Sequence, residues 1–243
     1  MDGNFKLYNW VTSSARIKEI LDQPAGAFEE VAGLPDRDKL TFTNGFYGYC
    51  SAIFIDIRDS SGLTSEHKRP TLAKIYRSFI SEMVAVLNSD SNVREVNIVG
   101  DCVWASYKTT DVRHLNDVFD IVAQANTLLK LLNHHYRKKG ISELRIGIGV
   151  DYGRVLMIKA GFNGSGVNDV VYMGDVVNRA AHLAHEAGRG WSSKTILVGD
   201  VFYSNLNEHN QGLLSSQWVN GLGSIYMGDV INTGMNEWID NLS

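Results

Sequence analysis

Gly48-Tyr49-Cys50-Ser51-Ala52-Ile53-Phe54-Ile55-Asp56-Ile57 decides the fold. Its near-continuous apolar character predicts a strand buried on both faces. The run ends on a carboxylate, Asp56, and a charge at the end of a buried strand costs solvation unless something pairs with it. Asp101 has a matching setting: it follows Asn97-Ile98-Val99-Gly100 and precedes the apolar run Cys102-Val103-Trp104-Ala105. On adjacent strands the two aspartates make a hard oxygen site for Mg²⁺ or Mn²⁺. Such sites activate an attacking oxygen and stabilise a leaving phosphate. Residue type alone equally allows each Asp to cap a turn or a helix.

Working outward, Arg58-Asp59-Ser60-Ser61-Gly62 reads as a polar loop, and Pro70 suits the first turn of a helix. Leu72, Ile75, Phe79, Met83, Val84 and Leu87 then recur at helical spacing. Residues 93–107 read as two strands around a tight turn at Gly100-Asp101. Residues 116–136 form a second long helix, 144–150 and 154–160 two further strands, and 174–187 a third helix. A short strand (195–198), a helix (201–207) and a terminal strand or hairpin (217–230) complete the expectation. From Gly48 the order strand, helix, strand, strand, helix, strand is the ferredoxin-like βαββαβ unit. It predicts an α+β sandwich with the helices on one face of the sheet. Residues 1–42 read as an N-terminal extension packing on the core or on a partner chain, with a short amphipathic helix at 13–21 and a loop through Pro24, Gly26, Gly33 and Pro35. Residues 43–243 read as the catalytic domain.

Composition narrows the class. The 243 residues are 44% hydrophobic and 21% charged, ordinary for a globular protein. A net charge of −4 gives no electrostatic reason to expect nucleic acid or an anionic membrane as partner. Cys50 and Cys102 sit inside apolar runs, where a reduced, packed thiol is expected; that suits the cytoplasm. No apolar stretch approaches the ~20 residues of a membrane span. Met1-Asp2-Gly3-Asn4 lacks a basic region followed by an apolar core, so no secretory signal is expected. The histidines show no metal-ligand spacing that argues for zinc.

Four ordered segments then carry a family resemblance. Ile53-Phe54-Ile55-Asp56-Ile57-Arg58 resembles the first metal motif of class III nucleotidyl cyclases, and Val99-Gly100-Asp101-Cys102-Val103 their second. Arg145-Ile146-Gly147-Ile148-Gly149 is similar to the family's next strand, with its usual His-Thr-Gly altered. The stretch from Tyr172 to Leu183 (YMGDVVNRAAHL) resembles the signature helix. The resemblance implies a homodimer with sites shared between protomers, in which the 3′-hydroxyl of a nucleoside triphosphate attacks its own α-phosphorus and pyrophosphate leaves. It implies that Asp56, Asp101 and the Ile57 carbonyl hold two divalent metal ions. Ser60, Ser61 and Gly62 would cradle phosphate through backbone N–H groups, or serve only as a polar turn. Asn178 matches the ribose-orienting Asn supplied by the opposite protomer, and Arg154 a triphosphate-binding arginine of some members.

The match departs from the family in four places. His182 stands where an arginine stabilises the transition-state phosphate. Either the nearby Arg179 reaches that phosphate or it points to solvent. Asn220-Gly221-Leu222-Gly223 occupies the place of a triphosphate-binding Lys. Asn97 and Val171 hold the two base-selecting positions and match neither purine code. An Asn offers a donor and an acceptor and is able to read uracil or cytosine, while Tyr47 or Tyr49 would narrow the pocket against a two-ring base. The pattern is closest to the bacterial antiphage pyrimidine cyclases of the Pycsar type, which implies conversion of UTP to cyclic UMP as a signal read by a separate effector protein. Conversion of CTP to cyclic CMP, an adenylate cyclase with an unusual pocket, and a silent nucleotide-binding homologue are the alternatives.

Overall fold

The computed structural model describes Gly3 and residues 5–242; Met1, Asp2, Asn4 and Ser243, and so most of the stretch read for a secretory signal, lie outside the described residues. In chain order the elements are α1 (Trp10–Leu21), β1 (Phe28–Glu30), β2 (Gly45–Ile57), α2 (Ser60–Glu66), α3 (Arg69–Leu87), β3 (Val93–Val99), β4 (Cys102–Tyr107), α4 (Val112–Lys138) and β5 (Ile146–Gly161). There follow β6 (Asn168–Met173), α5 (Asp175–Glu186), β7 (Ile196–Gly199), α6 (Asp200–Ser204), α7 (Glu208–Gly212), β8 (Ser215–Val219), β9 (Gly223–Gly228) and α8 (Thr233–Asp240). The sheet runs β3-β4-β2-β5-β7-β9-β8, with β1 beside the start of β2 and β6 folded back on β5. Within it β2-α3-β3-β4-α4-β5 is the expected ferredoxin-like unit, giving an α+β fold. Among the described residues no helix is long and apolar enough to cross a membrane.

β2 is buried on both faces because both are covered. Ile53, Ile55 and Ile57 meet Phe79 and Met83 of α3 and Val118, Phe119 and Val122 of α4 in the main core. Full burial of each such side chain contributes roughly 1.5–3 kcal/mol. The alternate residues Cys50 and Ala52 pack with Val155, Met157, Val176 and Ala180 on the opposite face. The helices are therefore not confined to one face, as the order alone suggested: α5 lies across the second.

Other elements differ from the sequence reading for identifiable reasons. The two strands expected around Asp151-Tyr152-Gly153 are one 16-residue strand, β5. Gly153 there is no break; it lets the Val176 side chain approach. The loop after β2 winds into α2, and β6, α7 and α8 were not anticipated. The chain does not end on the β8–β9 hairpin. Asn232 caps α8 by accepting from the Met235 N–H, and Lys130 of α4 donates to Asn236 (2.7 Å). Residues 1–42 are not one piece either. β1 pairs with the start of β2, and Leu34 and Leu40 are buried in the second core. α1, in contrast, buries none of its residues.

Gly149 decides whether α5 seats. A Cβ there would land on the Ala180 carbonyl oxygen and the Ala184 backbone nitrogen, neither able to yield without moving the helix. Gly149→Ala is expected to cost about 3 kcal/mol or more, read as a lowered urea midpoint, whereas Gly62→Ala, which meets open space, should leave the midpoint within about 1 kcal/mol of wild type.

Candidate active site

The two aspartates meet at one end of the sheet. The antiparallel register sets Asp56 opposite Cys102 of β4. Asp101, in the β3–β4 turn, is the next residue along. Gly100 closes that turn at φ +63°, in the left-handed region that favours glycine. Burial holds the Asp56 carboxyl above the usual carboxylate range; Arg58 opposes this and the Asp101 charge adds to it. Arg58 donates its backbone N–H to the Arg145 carbonyl (2.8 Å). By the alternation of an antiparallel pair, the Ile57 carbonyl then turns from β5 toward the β4 side, where Asp101 stands. Two carboxylates and a carbonyl are an all-oxygen donor set, which suits Mg²⁺ or Mn²⁺. Among the described residues no group of three or more His, Cys, Asp or Glu side chains is placed to hold a metal. Further ligands would therefore come from substrate phosphate and water, as is usual for Mg²⁺.

Two side chains the sequence did not single out complete this end. The Arg58 guanidinium, 1% exposed, donates to Asp56 Oδ2 (2.9 Å), to the Ala184 carbonyl (2.8 Å) and to the His185 carbonyl (2.6 Å). Tyr76 of α3 stands beside both aspartates; burial raises its hydroxyl and the Asp101 charge adds to this. Neither was visible because each acts through a packing partner distant in sequence. The expected phosphate loop is the first turn of α2. Gly62 already gives its N–H to Asp59 (2.8 Å), so Ser60 and Ser61 carry the amides at the open end of the helix.

On α5, Asn178 and His182 are exposed one turn apart on one face. Arg179 does neither of the things expected of it. It turns inward, pairing with Asp200 (2.5 Å) and donating to the Leu222 (3.2 Å) and Ser224 (3.0 Å) carbonyls of the β8–β9 hairpin. It grips the hairpin where the family Lys is missing and does not reach out to a phosphate.

The base-side residues divide by strand parity. Asn97 pairs with Trp104, which stacks on Phe54 at 5.1 Å; all three share the face that carries Asp56. Tyr49 and Tyr47 lie an odd number of residues from Asp56 on a strand without a bulge, and so point to the other face. Arg154, opposite Tyr49, faces that side too, paired with Glu30 of β1 and stacked 4.4 Å over the Tyr47 ring. Tyr49 and Arg154 are thus not brought to the aspartates within this chain. Tyr172 is buried against Trp104, which turns its neighbour Val171 outward; the residue facing Asn97 is Tyr172.

The adenylate and guanylate cyclase catalytic domain matches residues 43–216. This chain belongs to that family. A uridylate cyclase of Gulbenkiania mobilis is 39% identical over 256 residues, covering 99% of both chains. A uridylate cyclase of Treponema porcinum is 37% identical over 234 residues, 96% of this chain and 81% of that protein. The crystal structure of the adenylyl cyclase CyaB from P. aeruginosa shares the fold with a TM-score of 0.62 at 20% identity, over 76% of this chain and 95% of that one. In this cyclase domain Asp56 and Asp101 stand together at one end of the sheet, and Arg179 is held by Asp200 and the β8–β9 hairpin.

Two predictions test the geometry. Arg58→Lys offers one compact ammonium where a planar fork serves several acceptors. It should cost about 3 kcal/mol of unfolding free energy, near the lower end for breaking a buried pair, measured by urea denaturation. Asp151, on β5 beside Arg179, is 3% exposed. Burial pushes its carboxyl up to about 6, against the Tyr152 N–H and Arg179, with Asp200 adding to the rise. Its neutral form is the stable one in the fold, so its contribution is fully present below the ordinary aspartate range and lost as pH climbs to about 6. From pH 4 to pH 7 the native protein should lose roughly 2 kcal/mol relative to Asp151→Asn, read from paired denaturation curves.

Proposed function

We propose that this chain is a metal-dependent uridylate cyclase, converting UTP to 3′,5′-cyclic UMP and pyrophosphate. The observation that carries the reaction is the Asp56–Asp101 pair, two carboxylates held side by side with an all-oxygen donor set. The uracil preference draws support from the two uridylate cyclases matched over nearly the whole chain, and from a base face holding Asn97 with neither purine code. Asp56, Asp101 and the Ile57 carbonyl would hold two divalent ions, Mg²⁺ or Mn²⁺, which when bound lower the pKa of the attacking 3′-hydroxyl and neutralise the triphosphate. The protein's own part is positioning and charge neutralisation. Ser60 and Ser61 offer N–H groups at the start of α2. Asn178 orients the ribose, and His182, when protonated, meets the developing phosphate charge.

We infer a homodimer with two equivalent sites. Asn178 and His182 open outward from α5, so a second copy is the natural source of the aspartates that they complement. Residues 43–243 are the catalytic domain in this reading. Residues 1–42 extend it, their second half laced to the sheet through β1, Leu34 and Leu40. The thiols of Cys50 and Cys102 are unpaired, which fits a reducing cytoplasm. Cyclic UMP would act as an antiphage signal read by a separate effector protein.

Incubation with ATP, GTP, CTP and UTP in turn, each with Mn²⁺, should yield cyclic UMP as the main product. Asp56→Asn or Asp101→Asn should lower that rate about a hundredfold or more, ~2.7 kcal/mol of barrier, without loss of the dimer by sedimentation. Cyclic CMP or cyclic AMP as the main product would overturn the uracil assignment. No product from any triphosphate would leave a silent nucleotide-binding homologue.

A further inference from the structure

Beside Asn97 lies a buried polar cluster that the reaction does not use. Glu95, two residues earlier on β3, is 8% exposed. Around it are Asn97 Nδ2, Tyr172 Oη and Ser106 Oγ. Each of these atoms is buried, as is Glu95 Oε1, and none closes a hydrogen bond of ordinary geometry. Burial holds the Glu95 carboxyl above the usual carboxylate range; Arg37 opposes this most, then Tyr172 and Asn97, which face the carboxylate. A buried carboxylate is costly without a cation, and the cation comes from outside the sheet. Arg37, in the stretch between β1 and β2, places Nε 3.4 Å from Glu95 Oε1 and also donates to Asp169 of β6.

We propose that Glu95 is a positioning residue for base selection: it fixes the orientation of the Asn97 amide, so that the carbonyl oxygen faces the base. An ionised carboxylate only accepts hydrogen bonds. The Asn97 amino group must therefore face Glu95, and the planar amide then presents Oδ1 on the opposite side, away from the cluster. An amide without such a neighbour is able to flip, and would read a donor or an acceptor with equal ease. With Oδ1 outward and set against N3 of the base, the residue offers an acceptor that matches the N3–H of uracil and is repelled by the N3 lone pair of cytosine. Arg37, 3.4 Å from Glu95, opposes the effect of burial and favours the ionised carboxylate, so the segment before the catalytic domain takes part in choosing the base. This inference rests on the uridylate cyclase reading and deepens it.

Two variants test it. Glu95→Gln keeps the shape but offers Asn97 either a donor or an acceptor. Arg37→Gln removes the cation that favours the charged carboxylate, from a half-exposed position. Two readouts are needed in each: the ratio of kcat/KM for UTP over CTP, and the ratio of Kd values for the α,β-methylene analogues of the two triphosphates, which requires no turnover. In both variants the preference for the uridine nucleotide should fall by about tenfold, through weaker uridine and stronger cytidine binding. A merely structural role would weaken both nucleotides alike. An unchanged binding ratio in both variants, or equal weakening of the two analogues, would overturn the role of Glu95 whatever the product. Absence of cyclic UMP from the wild type, with the binding ratio shifting as expected, would overturn the cyclase reading and leave the role of Glu95 standing. Wild-type binding that prefers the cytidine analogue would overturn the orientation of Asn97 itself.

Discussion

The Arg58 guanidinium fixes the active end of the molecule. Burying a cation costs several kcal/mol unless every proton finds an acceptor. The two terminal nitrogens of Arg58 find acceptors in Asp56 and in the Ala184 and His185 carbonyls, while its buried Nε goes without one. Those carbonyls belong to the last turn of α5, where a helix has orphan acceptors and the negative end of its dipole. One side chain therefore caps the helix that carries Asn178 and His182, and at the same time steadies the first aspartate. Within one chain the contact fixes Asp56 relative to the end of α5, because a planar group does not stretch. The cation also offsets part of the like-charge cost of holding Asp56 next to Asp101.

The opposite face of the same contact is made of glycine. Gly147 and Gly149 lie under α5 so closely that a Cβ at either would strike the helix backbone. The helix sits directly on β5, leaving no room for side chains between them and none for a shift along the strand. Further along α5, Arg179 spends its charge on Asp200 and on the carbonyls of the β8–β9 hairpin. The helix is thus pinned at its end by Arg58, along its length by β5, and laterally by Arg179. Such over-determination is what a positioning element requires, since misplacement by about an ångström is able to cost a hundredfold in rate.

Much of this was legible in the sequence because it is carried by period. The apolar run of β2, the helical spacing of α3 and α4 and the turn at Gly100 each announce themselves locally, and their order yields the ferredoxin-like core. The aspartate pair was legible for the same reason, as two carboxylates in like settings at strand ends. What escaped depends on partners remote in sequence. Gly153 reads locally as a break in β5, and only the Val176 side chain against it explains its presence mid-strand. Ser60-Ser61-Gly62 has loop composition, and its helix forms against α3. Arg179 was misjudged, and the burial of Tyr172 went unread, because spacing gives a residue's place on an element but not which neighbour claims its side chain. Strand parity places Tyr49 and Arg154 on the face away from Asp56 of the same chain and turns Val171 outward, which a motif alignment does not show.

Chemistry and base choice occupy different physical regimes in this molecule. In the proposed reaction the aspartates would meet solvated ions and a departing phosphate, and they stand half-open at the end of the sheet, where charge is tolerable. A base edge carries no net charge and is told apart by donors and acceptors alone, and that discrimination weakens wherever water competes. Groups that read a base therefore belong in a drier place, and Glu95, Tyr172 and Ser106 lie beneath the surface beside Asn97. A dry polar cluster needs its charge neutralised, and the core sheet supplies no cation to it. Arg37, from a segment outside the βαββαβ unit, does so. The proposed metal end lies entirely within that unit, whereas the proposed base face would have its polarity set from its margin, where a change of residue leaves the reacting groups undisturbed.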